Sequence, residues 1–313
     1  MRIESAHGGE NWSPRDTSFQ QDMQDLWGDW GVSSECGELR AILLRRPGSE
    51  IEGITNADAV QWLELCDPEL ARQQHDDMAQ AYRDNGATVH YVQVTRPDKP
   101  NSYFVRDLML MTPEGAIVSR PASTVRAGEE RYAAEALAKL GVPILMSVHG
   151  TGVFEGADVA MVDGKTAFLA EGYRTNREGA DQVEWALRQA GFKEVIRVQM
   201  PYASGHIDGV LSIVDRDLAV INLRTPLIVY RTLKDLGFRT IELPQKGPDD
   251  RIITMNFVAL APGHVLMPAG CPSMRKLLES EGCTCVEVEI SELIKGGGGM
   301  HCMSGILKRK PLS

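Results

Sequence analysis

No stretch of this chain approaches the roughly 18 apolar residues of a membrane-crossing helix. Residues 1–15 are polar and lack the apolar centre of an export signal. These two absences predict a cytoplasmic protein with no membrane partner. Basic residues are in deficit, with 33 Lys and Arg against 43 Asp and Glu and a formal net charge of -10. Neutralising a phosphate backbone needs a basic face, so nucleic acid is excluded as a partner, and the acidic balance suits a small cation. The six cysteines, Cys36, Cys66, Cys271, Cys283, Cys285 and Cys302, show no metal-ligand spacing. Cys283-Thr-Cys285 is too tight for a zinc knuckle and lies in a strand-like run. The histidines are scattered and supply no alternative ligand set. No metal and no cofactor is therefore expected, and without an export signal the thiols are expected to be reduced.

One pattern recurs about every fifty residues: strand, tight turn, strand, helix, strand. One copy has strands over 108–111 and 116–119, a helix over 129–140 and a strand over 142–148. The next runs through 159–162, 166–170, a helix over 177–190 and 194–200, and a third through 209–214, 218–223, a helix over 226–236 and 240–243. Another has strands over 256–260 and 265–268, a helix over 272–281 and a strand over 284–290. Gly and Asp at the turns tolerate the positive φ of short hairpins, and Pro226 and Pro272 stand at helix starts, where no N–H is needed. The first copy is less regular, with a strand over 39–46, a helix over 68–85, a strand over 88–94 and no clear strand between Gly48 and Asp67. A linear stack of such units would need polar end caps, which are missing; a closed ring has no ends. The fold predicted is α/β, a five-bladed pseudo-symmetric propeller of ββαβ repeats over 36–313. Residues 1–35, with Trp12, Trp27 and Trp30, form an N-terminal extension that serves as lid, interface or packing; packing is favoured because tryptophan is usually buried for its area.

Just before the first strand of successive units stand Asp107, Glu155 and His206, at separations of 48 and 51 residues, and Cys302 follows 96 residues later. Equal phase in a ring means equal radius and height, so these four side chains should meet at the axis. Singly, each has an ordinary reading as surface pair, satisfied histidine or small buried thiol. Four at one phase point to a site. The run Gly296–Gly299 before Cys302 lacks the Lys-Ser/Thr of a phosphate loop; it lets backbone approach closely and exposes the sulfur.

At this point the sequence resembles the guanidine-modifying superfamily of arginine deiminases, dimethylarginine dimethylaminohydrolases and arginine:glycine amidinotransferases. The matching pieces are Phe104-Val-Arg-Asp107, Phe154-Glu-Gly-Ala-Asp158, Arg174-Thr-Asn176, His206-Ile-Asp208 and Gly296-Gly-Gly-Gly-Met-His-Cys-Met-Ser304, in register from about Leu39 to Leu307. The resemblance implies an α/β propeller with Cys302 as nucleophile, His206 as general acid and base, and Asp107, Glu155 and Asp208 around a guanidinium, with Phe104 in the first motif. Arg126 and Arg174 match arginines that clamp a substrate α-carboxylate, their alternative being ordinary surface charge. Asn101 stands where the dimethylarginine enzymes tend to carry an acid. Those enzymes usually lack an acid at the position of Asp208, which deiminases and amidinotransferases have. His301 before the cysteine matches amidinotransferases and agmatine deiminases, whereas the chain is short for an amidinotransferase. A homodimer is a family-level expectation.

A guanidinium is a poor electrophile because its charge is shared by three nitrogens. Paired carboxylates, here Asp107 and Asp208, localise that charge and fix the plane, with Glu155 orienting His206 or touching the substrate. A thiolate on Cys302 then attacks the central carbon and leaves an amidino-thioester. Water as acceptor makes the protein a hydrolase of arginine or a related guanidino compound. An amine acceptor makes it an amidinotransferase; a non-catalytic binding propeller is the remaining alternative. The catalytic reading expects Cys302 to be alkylated fast near neutral pH and protected by arginine.

Overall fold

The computed structural model describes residues 12–202, 204–243 and 255–312; the first eleven residues of the expected extension lie outside them. In chain order the chain forms β1 (Leu39–Leu44), α1 (Pro68–Asp84) and β2 (Thr88–Tyr91), then β3 (Met109–Thr112), β4 (Gly115–Val118), α2 (Glu130–Lys139) and β5 (Ile144–Ser147). There follow β6 (Val159–Met161), β7 (Thr166–Glu171), α3 (Arg177–Gln189) and β8 (Glu194–Gln199), then β9 (Leu211–Ile213), β10 (Leu218–Asn222), α4 (Leu227–Asp235) and β11 (Arg239–Leu243). The last are β12 (Val258–Ala261), β13 (His264–Pro268), α5 (Pro272–Ser280), β14 (Thr284–Val288) and β15 (Gly305–Arg309). They make a mixed α/β fold of five three-stranded sheets.

Four sheets are built alike. An antiparallel hairpin is followed by a crossover helix that returns a third strand parallel to the second, as in β3-β4-β5 and β6-β7-β8. The irregular first unit is completed from far away: β1 runs parallel to β2 but takes its antiparallel partner from β15. The sequence pattern missed this pairing because its two strands lie at opposite ends of the chain. The region after Gly48 carries only short 3-10 turns, Ser49–Ile51 and Asp58–Val60, in line with the missing strand signal.

Local chemistry sets the helix ends. Asp67 accepts hydrogen bonds from the backbone N–H groups of Glu69 (2.9 Å) and Leu70 (3.1 Å), with Pro68 at the first helical position of α1. Asn176 does the same for α3 through Gly179 N–H (2.9 Å). Glycines in the left-handed region, such as Gly141 (φ +75°) and Gly191 (φ +104°), let the chain leave α2 and α3 and enter the next strand. The central strands β4 and β7 are buried almost throughout, so they read as apolar runs rather than alternating ones.

The sheets touch in cyclic order. Arg106 N–H donates to the carbonyl of Cys302 (3.0 Å), Arg120 and Phe154 exchange backbone bonds (3.0 Å each way), and β6 lies against the turn before β9. Gly263 N–H donates to Val214 (2.9 Å), and Arg309 Nη1 donates to the carbonyl of Ala259 (2.7 Å), linking the fifth sheet to the first. The chain before β1 is woven into this arrangement, with Val32 N–H on the carbonyl of Thr112 (3.3 Å) and Glu35 N–H on that of Met161 (2.9 Å). Trp30 packs against the core as expected, whereas Trp12 and Trp27 are 37% and 42% exposed, the ring of Trp27 lying 6.1 Å from that of Phe19. Among the described residues, no helix is long and apolar enough to cross a membrane.

Leu307, fully buried on β15, tests the importance of the long-range pairing. Leu307→Ala is expected to lower stability by about 2–5 kcal/mol in urea denaturation, while a substitution at exposed Leu223 on the rim leaves it within about 0.5 kcal/mol.

Candidate active site

The polar residues of shared phase sit in or beside short turns that precede the first strand of each hairpin. Asp107 is in the turn Val105–Leu108, Glu155 precedes Gly156–Asp158, and His206 precedes Ile207–Gly209, which carries Asp208. The turns pack so closely that a Cβ on Gly156 would stand 2.2 Å from the carbonyl oxygen of Met109 and 2.5 Å from that of Arg106. This crowding forces their polar side chains toward one point.

His206 Nε2 lies 2.6 Å from Glu155 Oε2 and 3.9 Å from Asp107 Oδ1. Burial alone would lower the imidazole, but Asp107, the Glu155 hydrogen bond and the charge of Asp158 push its pKa up to about 10. His206 is therefore an imidazolium at neutral pH. Burial opposes ionisation of Glu155, yet the hydrogen bond and charge of His206, with Arg126 and Arg174, hold its carboxyl well below the usual range. Glu155 Oε1 also accepts from Ala122 N–H (3.1 Å), which fixes the carboxylate. Behind them Asp158 is pushed up to about 7, chiefly by burial, while Thr175 donates to it at 2.5 Å.

Asp107 is buried and ion-paired through Oδ2 to Arg126, while its Oδ1 has no hydrogen-bond partner. A buried carboxylate oxygen without a donor is costly, so this atom marks where a cationic ligand gains most. Cys302 Sγ lies 3.9 Å from Asp208 Oδ2. Burial, Asp208 and Asp107 push the thiol well above its ordinary value. The empty site thus opposes the expectation of fast alkylation near neutral pH, since burial and two carboxylates favour the protonated sulfur.

The remaining expected residues fall nearby with different partners. Arg174 is 26% exposed, holds Glu155 Oε2 at 3.3 Å and lies over the ring of Tyr173. Arg126, 4% exposed, is engaged by Asp107, by Glu129 (2.9 Å) and by the carbonyl of Phe104 (3.0 Å). Its guanidinium thus braces Asp107 rather than facing solvent. The amide of Asn101 is likewise engaged, accepting from Trp62 Nε1 (2.7 Å) and donating to the carbonyl of Val60 (2.8 Å). Phe104 packs under the glycine run: a Cβ on Gly298 would stand 2.6 Å from its ring. The glycines therefore admit protein side chains close to the backbone.

Two residues, Asn256 and Glu35, escaped the sequence reading, which had noted His301 only as a motif match. Asn256 touches the sulfur, its Nδ2 donating to Cys302 Sγ at 3.0 Å. It stands 50 residues after His206 and 46 before Cys302, so halving the long gap in the phase pattern would have found it. His301 Nδ1 lies 2.9 Å from Asp208 Oδ2, and Glu35, from the segment before β1, pairs with Arg106 (3.0 Å) and faces His301 Nε2 (3.5 Å). Nothing in the repeat pattern signals Glu35. One atom each of Asp107, Glu155 and His206 lie within 4.8 Å of one another, a spacing that suits a metal ion. Metal ligation needs neutral imidazole, and the raised pKa of His206 opposes it at neutral pH.

Three comparisons place these findings. The model of the family described as N,N-dimethylarginine dimethylhydrolase, eukaryotic, matches residues 56–307. The chain is 28% identical over 272 residues to an N(G),N(G)-dimethylarginine dimethylaminohydrolase of Pseudomonas aeruginosa, covering 85% of this chain and 98% of that protein. It is 23% identical to an arginine deiminase of Bacillus cytotoxicus, covering 90% and 98%. The structure of SxtG, an amidinotransferase from Microseira wollei, shares the fold at TM-score 0.73 and 14% identity, covering 91% and 99%.

The titration of His206 predicts a pH dependence. Its folded-state value is raised above 6.5, so its stabilising contribution is complete below about 6.5 and is lost as pH rises through about 10. Melting temperature of the unliganded protein is expected to fall between pH 7 and pH 10, and His206→Gln to flatten that fall in differential scanning fluorimetry. An unchanged slope would separate His206 from the effect.

Proposed function

We propose that this chain, which belongs to the dimethylarginine dimethylhydrolase family and with it to the guanidino-modifying enzymes, is a hydrolase of arginine or a related guanidino compound that works through an amidino-thioester on Cys302. The observation that carries this reading is Asp107 Oδ1, which has no hydrogen-bond donor, lies 3.9 Å from His206 Nε2 and is buried in the cluster that surrounds the sulfur. The five sheets in cyclic contact support a five-bladed propeller over 36–313, with 1–35 as an extension whose end reaches inward at Glu35.

A guanidinium bound to Asp107 and Asp208 neutralises the two charges that hold the thiol protonated, so binding itself favours the thiolate. The sulfur attacks the central carbon to form a tetrahedral adduct. His206, an imidazolium gripped by Glu155, gives its proton to the leaving nitrogen, the C–N bond breaks, and amine departs. Neutral His206 then takes a proton from water as the oxygen adds to the carbon. Collapse of the second adduct breaks the C–S bond and returns the thiolate. Arg174, more open than Arg126, is the better placed of the two for a substrate carboxylate. Buried acceptors at both Asp107 and Asp208 favour a guanidinium with N–H groups on both terminal nitrogens, because methyl groups facing either carboxylate would leave it unsatisfied.

Mass spectrometry of products after incubation with arginine tests the reading. Citrulline and ammonia without an added acceptor are expected, and dimethylated arginine should turn over more slowly. Ornithine with guanidinoacetate, formed only when glycine is present, would replace hydrolysis by transfer. Cys302→Ala should abolish turnover, and His206→Ala should lower kcat by about 10²–10⁴-fold.

A further inference from the structure

We infer that Asn256 is a catalytic residue whose side-chain N–H stabilises the Cys302 sulfur as a thiolate; this rests on Cys302 being the nucleophile. The orientation of its amide follows from its partners. Asn256 Oδ1 accepts from the backbone N–H groups of His301 (2.7 Å) and Cys302 (3.2 Å), two donors that an NH2 group could not satisfy. Nδ2 is thereby aimed at Sγ, 3.0 Å away. The fit is built into the glycine run, since a Cβ on Gly299 would stand 2.8 Å from both Cβ and Oδ1 of Asn256. Asn256 is itself 8% exposed, so its donor meets little competition from water.

The chemistry explains why a neutral donor stands here. The charged groups around the sulfur are Asp107 and Asp208, the latter tied to His301, with His206 held by Glu155. The carboxylates serve a cationic substrate but oppose an anionic sulfur. A lysine or arginine in place of Asn256 would favour the thiolate while repelling the substrate cation. An amide N–H stabilises the anion without that repulsion. The Asn256 amide and the backbone at Gly299 favour thiolate, against burial and the two acids. Asn256 also completes the phase pattern, so each of the five antiparallel strand pairs, four hairpins and β15–β1, has one polar residue at its entrance: Asp107, Glu155, His206, Asn256 and Cys302.

Asn256→Asp removes the N–H while its carboxylate still accepts the two loop N–H groups, but its added charge raises the thiol by itself, so neutral Asn256→Ser separates the lost N–H from the added charge. The Cys302 titration is read from thiolate absorbance against a Cys302→Ser blank, and from the pH dependence of iodoacetamide labelling of the Cys302 peptide. In Asn256→Asp the midpoint is expected to move up, with kcat at neutral pH lower by about 10- to 100-fold, the size of a hydrogen bond to a charged group, and KM little changed. Asn256→Ser, whose shorter arm loses the contact, is expected to shift the midpoint in the same direction and serves alone if the Asp variant does not fold. An unmoved midpoint in Asn256→Ser overturns the inference and leaves Asn256 as a loop clamp. If Cys302→Ser still turns over substrate, the nucleophile reading fails instead, and the thiol titration still reports on the Asn256 contact.

Discussion

The hydrogen bond between Glu155 and His206 holds together the charges at the centre of this protein. Glu155 is fully buried, and an ionised carboxylate in that position is tolerable only beside a compensating cation. His206 supplies the cation, and Asp107 and Asp158 help keep it protonated. Removing either partner would leave the other as an uncompensated buried charge. The same pair sets the protonation state from which the proposed proton transfer to a leaving nitrogen starts.

Around that pair the charges form two linked groups. On one side Arg126 joins Asp107, Glu129 and the carbonyl of Phe104. On the other, Arg106, Glu35, His301 and Asp208 run from the segment before β1 to within 3.9 Å of the sulfur. A cavity of about 20 Å³ lies among Glu35, Arg106, Asp208, His301 and Arg309, enough for about one water molecule. The second group sets two bases against two acids, whereas in the first one arginine faces two carboxyls, of which burial pushes Glu129 up to about 7.

The ring geometry gives these groups their precision. The turn beside Glu155 is clamped against the turn that carries Asp107, as the space around Gly156 shows, so these side-chain positions are set by backbone packing. Cys302 comes last of these residues in the chain, immediately before the strand that pairs with β1, so the sulfur's position depends on the longest-range strand pairing in the fold.

The sequence was legible where information is local or periodic. Apolar runs, Gly and Asp turns and helix-start prolines mark four of the five units, and the common phase of Asp107, Glu155, His206 and Cys302 predicts that they meet. It was silent where one end of the chain meets another. That β15 completes the first sheet, that Glu35 reaches His301 and that Arg126 braces Asp107 depend on packing between distant segments, which leaves no period in the sequence. Asn256 lay between the two cases: its phase was legible, but a neutral amide draws no attention until a sulfur stands 3.0 Å from it. Periodicity determined which residues share a radius; tertiary packing alone decided their partners, because hydrogen bonding and burial depend on ångström distances that spacing along a chain does not encode.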